Sequence, residues 1–214
     1  LNWRNPDVLF DFLDIIFGYI AKGINSFRLW GVPYIWKEEG TSCVYLPAVH
    51  EIIALLRDFF EMIAPRVTLV ADIPPAAVPK SLPSVKGTHL VGRPALPALI
   101  FHALLRGDVT YLREYLKKSC VAPWNSIWLN PTSTTGEFAP WLLQDHLPEE
   151  EINYLLMIAS GGGRAGGGHE LWSLCVPSWD HLLRLPECSG KHAADCFLCS
   201  QLVPLFLAGV PDIY

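Results

Sequence analysis

Four side chains of the types that bind zinc lie close together in the last part of the sequence: Cys188, His192, Cys196 and Cys199. Their identities match a Cys₃His zinc site. Their spacing would place all four on one face of a helix. Four ligands spread over three turns of a straight helix cannot converge on one tetrahedral ion, although a helix break at Gly190 would relieve this. We therefore expect no metal site and predict buried thiols instead.

The glycine-rich run 161–168 has a composition that could suggest a phosphate-binding loop. It lacks the Gly-x4-Gly-Lys-Ser/Thr pattern, however, and it does not follow a good strand. A flexible, solvated loop within a single domain over 1–214 is the simpler interpretation.

Helices and strands alternate along the chain, and they must position any functional residue. Asn5-Pro6-Asp7 is a helix-start signal, and Lys22-Gly23 ends the apolar helical pattern that follows it. Further helices are predicted over 46–64, 96–105, 107–118 and 193–207. Parallel strands are predicted near 24–29, 67–71, 88–91, 126–129 and 210–213. This alternation predicts an α/β fold with a parallel sheet.

The chain is unusually apolar and rich in tryptophan. Hydrophobic residues make up 51% of the sequence and charged residues 17%, against about 25% in ordinary soluble domains. Such a composition indicates that the helices and strands are buried on most of their sides, or that the chain binds a partner. Five tryptophans could stack on sugars, although core positions are favoured for them: Trp124, Trp128, Trp141, Trp172 and Trp179.

The charge and the apolar runs exclude several classes of partner. A net charge of −5 and a pI near 5.8 argue against nucleic acid and anionic membranes. The longest apolar run, 95–105, is about half the roughly 20 residues of a membrane helix. Leu1 begins the chain without a signal-peptide pattern, and the lack of an initiator Met suggests a fragment. Six cysteines in a chain of 214 residues fit reduced thiols, so we expect a cytoplasmic protein.

Three stretches near the start carry a family resemblance: 18–23 (GYIAKG), 27–30 (FRLW) and 34–43 (YIWKEEGTSC). They resemble the α-amylase superfamily of glycoside hydrolases, and within it the sequence is most similar to the sucrose phosphorylase branch. The likeness continues in order along the chain, through 96–105, 197–201 and 209–214. It implies a partial TIM (β/α)₈ barrel, from roughly the fourth to the eighth strand with their helices.

The resemblance also assigns site residues. Enzymes of this family cleave α-glycosides with retention, which requires a nucleophile and an acid/base carboxyl group roughly 5 Å apart. The nucleophile position corresponds to Trp30, and the acid/base position to Asp72. A third carboxylate corresponds to Thr135, next to Thr134 at a substrate-binding position. Arg28 matches the family arginine that orients the nucleophile.

These replacements predict a chain without turnover, because an indole cannot attack an anomeric carbon. The resemblance implies an α-glucoside as partner and no cofactor. A non-catalytic carbohydrate-binding or assembly module, with Trp30 stacking on a sugar or a partner, is the alternative, as is a relic without selected function. Because an incomplete barrel has open strand edges, we also expect self-association.

Overall fold

The computed structural model describes residues 1–72, 87–122, 125–132, 137–138, 140–159, 174–175 and 191–212. The chain groups into two compact units, one formed by 1–92 with 122–127 and the other by 93–121 with 128–214. The predicted loop over 161–168 lies outside the described residues. That 1–214 forms a single domain stays a prediction.

The first unit contains two helices and three strands. They are α1 (Pro6–Ala21), β1 (Ser26–Trp30), α2 (Pro47–Ile63), β2 (Thr68–Asp72) and β3 (Leu90–Gly92). β1 pairs with β2, and β2 with β3, both in parallel.

The start and end of α1 follow from local chemistry. The Asn5 side chain accepts a hydrogen bond from the Asp7 backbone N–H at 3.1 Å, and Pro6 occupies the first helical position. At the other end Gly23 has φ +90°, and the Ile24 N–H still donates to the Tyr19 carbonyl at 3.1 Å. Because Ile24 completes the helix end, β1 begins at Ser26 rather than at the predicted residue 24.

β1 has two different faces. Phe27 and Leu29 pack against the buried core of this unit, in which the Phe27 and Phe60 rings stack with centroids 6.4 Å apart. Arg28 and Trp30 alternate with them and are exposed. The core itself combines residues of α1, α2 and β2 with Val32 after β1 and Val67 before β2: Leu13, Ile16, Val32, Val49, Ile53, Leu56, Phe60, Val67, Leu69 and Ala71.

The second unit holds the remaining helices and strands, except that the first residue of β4 belongs to the first unit. They are α3 (Leu96–Arg106), α4 (Thr110–Lys118), β4 (Ile127–Pro131), β5 (Glu137–Phe138), α5 (Glu149–Ala159), β6 (Leu174–Cys175), α6 (Lys191–Phe206) and β7 (Val210–Asp212). β4 and β7 are parallel, whereas β5 and β6 form an antiparallel pair. The sequence predicted neither α5 nor this short pair.

α3 is buried over most of its length and anchors the core of the second unit. His102, 2% exposed, places Nε2 2.9 Å from the Glu151 Oε2 of α5. Arg106 donates from Nε to the same oxygen at 2.8 Å and from Nη2 to Oε1 at 3.2 Å. One carboxylate of α5 therefore binds two side chains of α3.

The larger sheet has the hydrogen-bonded strand order β1-β2-β3-β4-β7. All five predicted strands are present, and each begins no more than two residues after its predicted start. The predicted α/β class with a parallel sheet is confirmed. Over the described residues, no helix is long and apolar enough to cross a membrane.

Candidate functional site

Trp30 and Asp72 are the last residues of two neighbouring parallel strands. They are register partners in the pairing of β1 with β2. Neighbouring strands lie about 4.8 Å apart, so the two residues occupy adjacent positions on the same edge of the sheet. The Trp30 side chain is 67% exposed. The structure thus brings together the two residues that the sequence placed at the nucleophile and acid/base positions.

Arg28 lies two residues before Trp30 and shares its face of β1. Both side chains are exposed, in contrast to Phe27 and Leu29 between and beside them. A cationic donor and a broad aromatic surface therefore face the same way at the end of this strand. Such a pair can hydrogen-bond to hydroxyl groups and cover the apolar face of a ring.

The segment after β1 turns away through an ordered loop. Gly31 has φ +71°, and a 3-10 turn follows over Val32–Tyr34. The loop holds two non-glycine residues in the left-handed region, Cys43 and Tyr45, each with φ 54°. Such conformations persist only where surrounding contacts maintain them.

Tyr45 supplies several of those contacts. Its N–H donates to the Pro33 carbonyl at 3.0 Å, and its ring stacks on the His50 ring at 6.5 Å between centroids. Burial, together with the nearby Tyr34, raises the pKa of the Tyr45 phenol. The hydroxyl is buried, and no described residue forms a hydrogen bond with it. The loop beside Trp30 therefore carries a polar atom that sequence reasoning did not identify.

In the second unit, polar residues also mark the ends of parallel strands. Asn130 of β4 is fully buried and donates from Nδ2 to the Ala208 carbonyl at 3.3 Å. Just after β4, the Thr132 N–H donates to the Asp212 carbonyl at 3.0 Å. Within the described part of the chain, Asn130 Oδ1 and Thr132 Oγ1 are buried without hydrogen-bond partners. A sequence signal existed, because Asn130 is the first polar residue after the predicted strand 126–129.

Two of the predicted site residues, Thr134 and Thr135, lie outside the described residues. Their assignment to a substrate-binding position and to the third carboxylate position stays a prediction. The assignments of Arg28, Trp30 and Asp72 as site residues also stay predictions. The structure places Arg28 and Trp30 on β1 and Asp72 at the end of β2.

The cysteine and histidine pattern forms no metal centre in the part of the chain that the structure describes. Cys196 and Cys199 lie on α6, whereas Cys188 falls outside that part. Cys199 is exposed, so the prediction of a buried thiol is wrong at that position. The helix continues for nearly three more turns beyond Cys196 and presents Cys199 to solvent rather than to a core.

Trp128 is 3% exposed and belongs to the core, as favoured for it over a sugar platform. The side chains of the other four tryptophans in that group lie outside the described part of the chain. Among the tryptophan side chains that the structure describes, Trp30 is the exposed one, and a carbohydrate site can be considered around it.

No protein-family model matches the sequence. The chain is 30% identical over 221 residues to a glucosylglycerate phosphorylase of Spirochaeta thermophila, in an alignment covering 100% of this chain and 38% of that protein. A glucosylglycerate phosphorylase of Escherichia coli is 30% identical over 227 residues, covering 100% of this chain and 40% of that protein. The chain thus spans about two fifths of the length of these curated relatives.

Among solved structures, the crystal structure of a sucrose 6F-phosphate phosphorylase from Thermoanaerobacter thermosaccharolyticum superposes with a TM-score of 0.68. The match covers 97% of this chain and 41% of that one, at 16% sequence identity. It confirms the predicted fold, a partial (β/α)₈ barrel. The predicted resemblance is confirmed as well: the chain is similar over its whole length to glucosylglycerate phosphorylases, and its fold is similar to that of a sucrose 6F-phosphate phosphorylase, each matched over about two fifths of its length.

Proposed function

We propose that this chain forms the sugar-binding strand ends of an α-glucoside phosphorylase-type barrel and binds α-glucosides without cleaving them. The observation that carries the proposal is the placement of Trp30. This exposed indole occupies the end of β1 beside Asp72, where the family resemblance assigns the nucleophile. The names of the relatives support the phosphorylase class.

The absence of cleavage follows from the chemistry of retention. A glycosyl-enzyme forms only when a carboxylate attacks the anomeric carbon while a second carboxyl group protonates the leaving oxygen. Trp30 has no lone pair for that attack. The next acidic residue along the chain is Glu38, whose exposed carboxylate lies 4.0 Å from the Arg4 guanidinium. Asp72 thus has no carboxylate neighbour on β1.

Binding rests on the groups that remain. The Trp30 indole can cover the C–H face of a glucose ring, which removes apolar surface from water without a covalent step. Arg28, on the same face of β1, supplies donors for sugar hydroxyl groups. In this proposal the two side chains together form the binding surface.

Two measurements test the proposal. Calorimetric titration with sucrose and maltose should show binding, and Trp30→Ala should weaken it about tenfold or more through loss of the stacking surface. Phe10→Ala is the matched control, because Phe10 is an aromatic residue of α1 that is 60% exposed. A phosphate-dependent assay should release no glucose 1-phosphate from sucrose or glucosylglycerate.

Each outcome has a separate meaning. Release of glucose 1-phosphate would overturn the claim that the chain is inactive. Failure of sucrose and maltose to bind, or equal binding by Trp30→Ala and the wild-type chain, would overturn the role in sugar binding.

We also propose that copies of the chain self-associate. β1 lies at one end of the described sheet order and β7 at the other, so each has one hydrogen-bonding edge without a neighbouring described strand. Exposed strand edges favour pairing with another chain. Light scattering at increasing concentration should show species larger than a monomer, and a monodisperse monomer throughout would contradict this.

A further inference from the structure

Arg93, directly after β3, is a buried cation in the second unit. The residue is 2% exposed. Its Nη2 donates to the Ser119 carbonyl at 2.8 Å, and its Cζ lies 4.8 Å from the centroid of the Trp128 ring. Both of these partners are neutral. Over the described residues no carboxylate forms an ion pair with Arg93, although a buried charge without a counter-charge is strongly unfavourable.

Three polar atoms of this region are buried without a hydrogen-bond partner among the described residues. They are Arg93 Nε, Trp128 Nε1 and the Tyr115 hydroxyl. Trp128 and Tyr115 are each 3% exposed, so bulk water does not satisfy these atoms. The two nitrogen atoms can only donate, and the phenol can also donate. The region therefore has an excess of donors and one positive charge.

These residues form one cluster. Ser119, whose carbonyl accepts from Arg93, donates its own N–H to the Tyr115 carbonyl at 2.9 Å. Burial raises the pKa of the Tyr115 phenol, whereas the nearby positive charge of Arg93 lowers it. The Trp128 ring therefore lies against the Arg93 guanidinium, and the Tyr115 phenol is near enough for the charge of Arg93 to act on it.

We propose that the Arg93–Tyr115–Trp128 cluster binds a small monovalent anion, of which chloride is the simplest example. Such an ion accepts hydrogen bonds from N–H and O–H donors, and it neutralises the guanidinium. A water molecule could accept the same hydrogen bonds, but it would leave the buried charge uncompensated. This anion site is independent of the proposed sugar-binding surface at Trp30.

Thermal unfolding in different salts tests the site. At constant ionic strength, replacing sodium gluconate by sodium chloride should raise the Tm of the wild-type chain in a saturable manner, because an ion that binds only the folded state stabilises it. Sodium bromide should raise the Tm in the same way as sodium chloride. Arg93→Met should lose the chloride response, whereas Arg113→Met, a matched change at an exposed arginine of α4, should keep it.

Milder variants keep the test decisive if Arg93→Met does not fold. Tyr115→Phe and Trp128→Phe each remove one donor and retain an aromatic ring. Each should weaken the chloride dependence by about tenfold in concentration, the effect of one lost hydrogen bond to a charged group. Equal responses to chloride and gluconate in the wild-type chain would overturn the proposal. An unchanged chloride response in Arg93→Met, or in both milder variants, would overturn it as well.

Discussion

Trp30 of β1 pairs in register with Asp72 of β2, and both residues end their strands. Both residues lie at the carboxyl ends of parallel strands, which is the end at which barrel enzymes hold their catalytic groups. The neighbouring residue Leu29 packs against the core, whereas Trp30 is 67% exposed. Packing of Leu29 against the core thus holds the end of β1 in place, and the exposed Trp30 side chain contributes little to its stability.

A stability comparison tests this division of roles. Trp30→Ala should change the free energy of unfolding by no more than about 0.5 kcal/mol, as expected for an exposed position. Leu69→Ala, at a fully buried position of β2, should cost about 2–5 kcal/mol through lost burial and a cavity. Urea unfolding measures both. A loss in Trp30→Ala comparable to that in Leu69→Ala would show that the indole is part of the core.

The stability of the first unit should depend on the protonation of His89. Its Nδ1 accepts a hydrogen bond from the Leu69 backbone N–H at 3.1 Å, which requires that nitrogen to be unprotonated. Burial lowers the pKa of His89, and the positive charge of Arg57 lowers it further, against the opposing effect of Glu61. The stabilising contribution is therefore present above the unfolded pKa of about 6.5 and is lost as the pH falls through the lower folded pKa.

Urea unfolding at about pH 7.5 and about pH 5.5, on either side of that unfolded pKa, measures the effect. The wild-type chain should lose stability at the lower pH, and His89→Asn, which keeps an acceptor but does not titrate, should lose less. A smaller loss remains in the variant because burial also lowers the pKa of His146. Equal losses in the two proteins would exclude His89 as a source of the pH dependence.

In the second unit, Glu151→Ala should lower the urea midpoint. It removes the partner of the buried His102 Nε2 and of the Arg106 guanidinium. Glu150→Ala is the matched control on the same helix, since Glu150 is exposed, and it should have little effect. If both variants unfold at the same urea concentration, the contacts between α3 and α5 do not depend on this carboxylate.

The same carboxylate should add a pH dependence in acid. Hydrogen bonds from Arg106 and then from His102 lower the pKa of Glu151. Its contribution to stability is therefore present above the unfolded pKa of about 4.3 and is lost as the pH falls through the lower folded pKa. The difference in the free energy of unfolding between the wild-type chain and Glu151→Ala should therefore become smaller as the pH falls from the unfolded pKa through the folded pKa of Glu151.

Gly209→Ala should be strongly destabilising. Gly209 has φ +131°, and a Cβ there would lie 2.4 Å from the Trp128 carbonyl oxygen and 2.9 Å from the Trp128 Cβ. The backbone of β7 would have to move away from β4. Gly18→Ala is the control, because a Cβ at this position in the last turn of α1 has nothing within 4 Å, and it should stabilise the chain by up to about 1 kcal/mol. Hydrogen exchange of the Val210 amide reports the strand pairing directly.

The sequence was sufficient to predict the five strands of the larger sheet and most of the helices. α4 shows why the boundaries were less certain. The Asp108 carboxylate accepts from both the N–H and the hydroxyl of Thr110, at 2.8 and 2.6 Å, so the helix begins at Thr110 rather than at residue 107. α5 was missed, although Pro148 and the acidic residues of its first turn are a helix-start signal.

The site was predictable only in part. Family motifs placed Trp30 and Asp72 at strand ends, because strands could be recognised from their composition. The burial of Asn130 could not be recognised in this way, since it depends on β7 covering β4 from a distant part of the chain. The unpartnered donors around Arg93 escaped prediction for the same reason, as they come from a strand end, a helix and a strand that are separate in the sequence.

The pairing of Leu129 with Val210 has a consequence for biosynthesis. A ribosome must add the whole segment between these residues before β7 can close against β4. Contacts between distant residues form slowly, and chains emerge at roughly 5–20 residues per second. The β7-facing edge of β4 therefore stays open for several seconds in each nascent chain, during which chaperones, or a neighbouring nascent chain on the same messenger, compete for it.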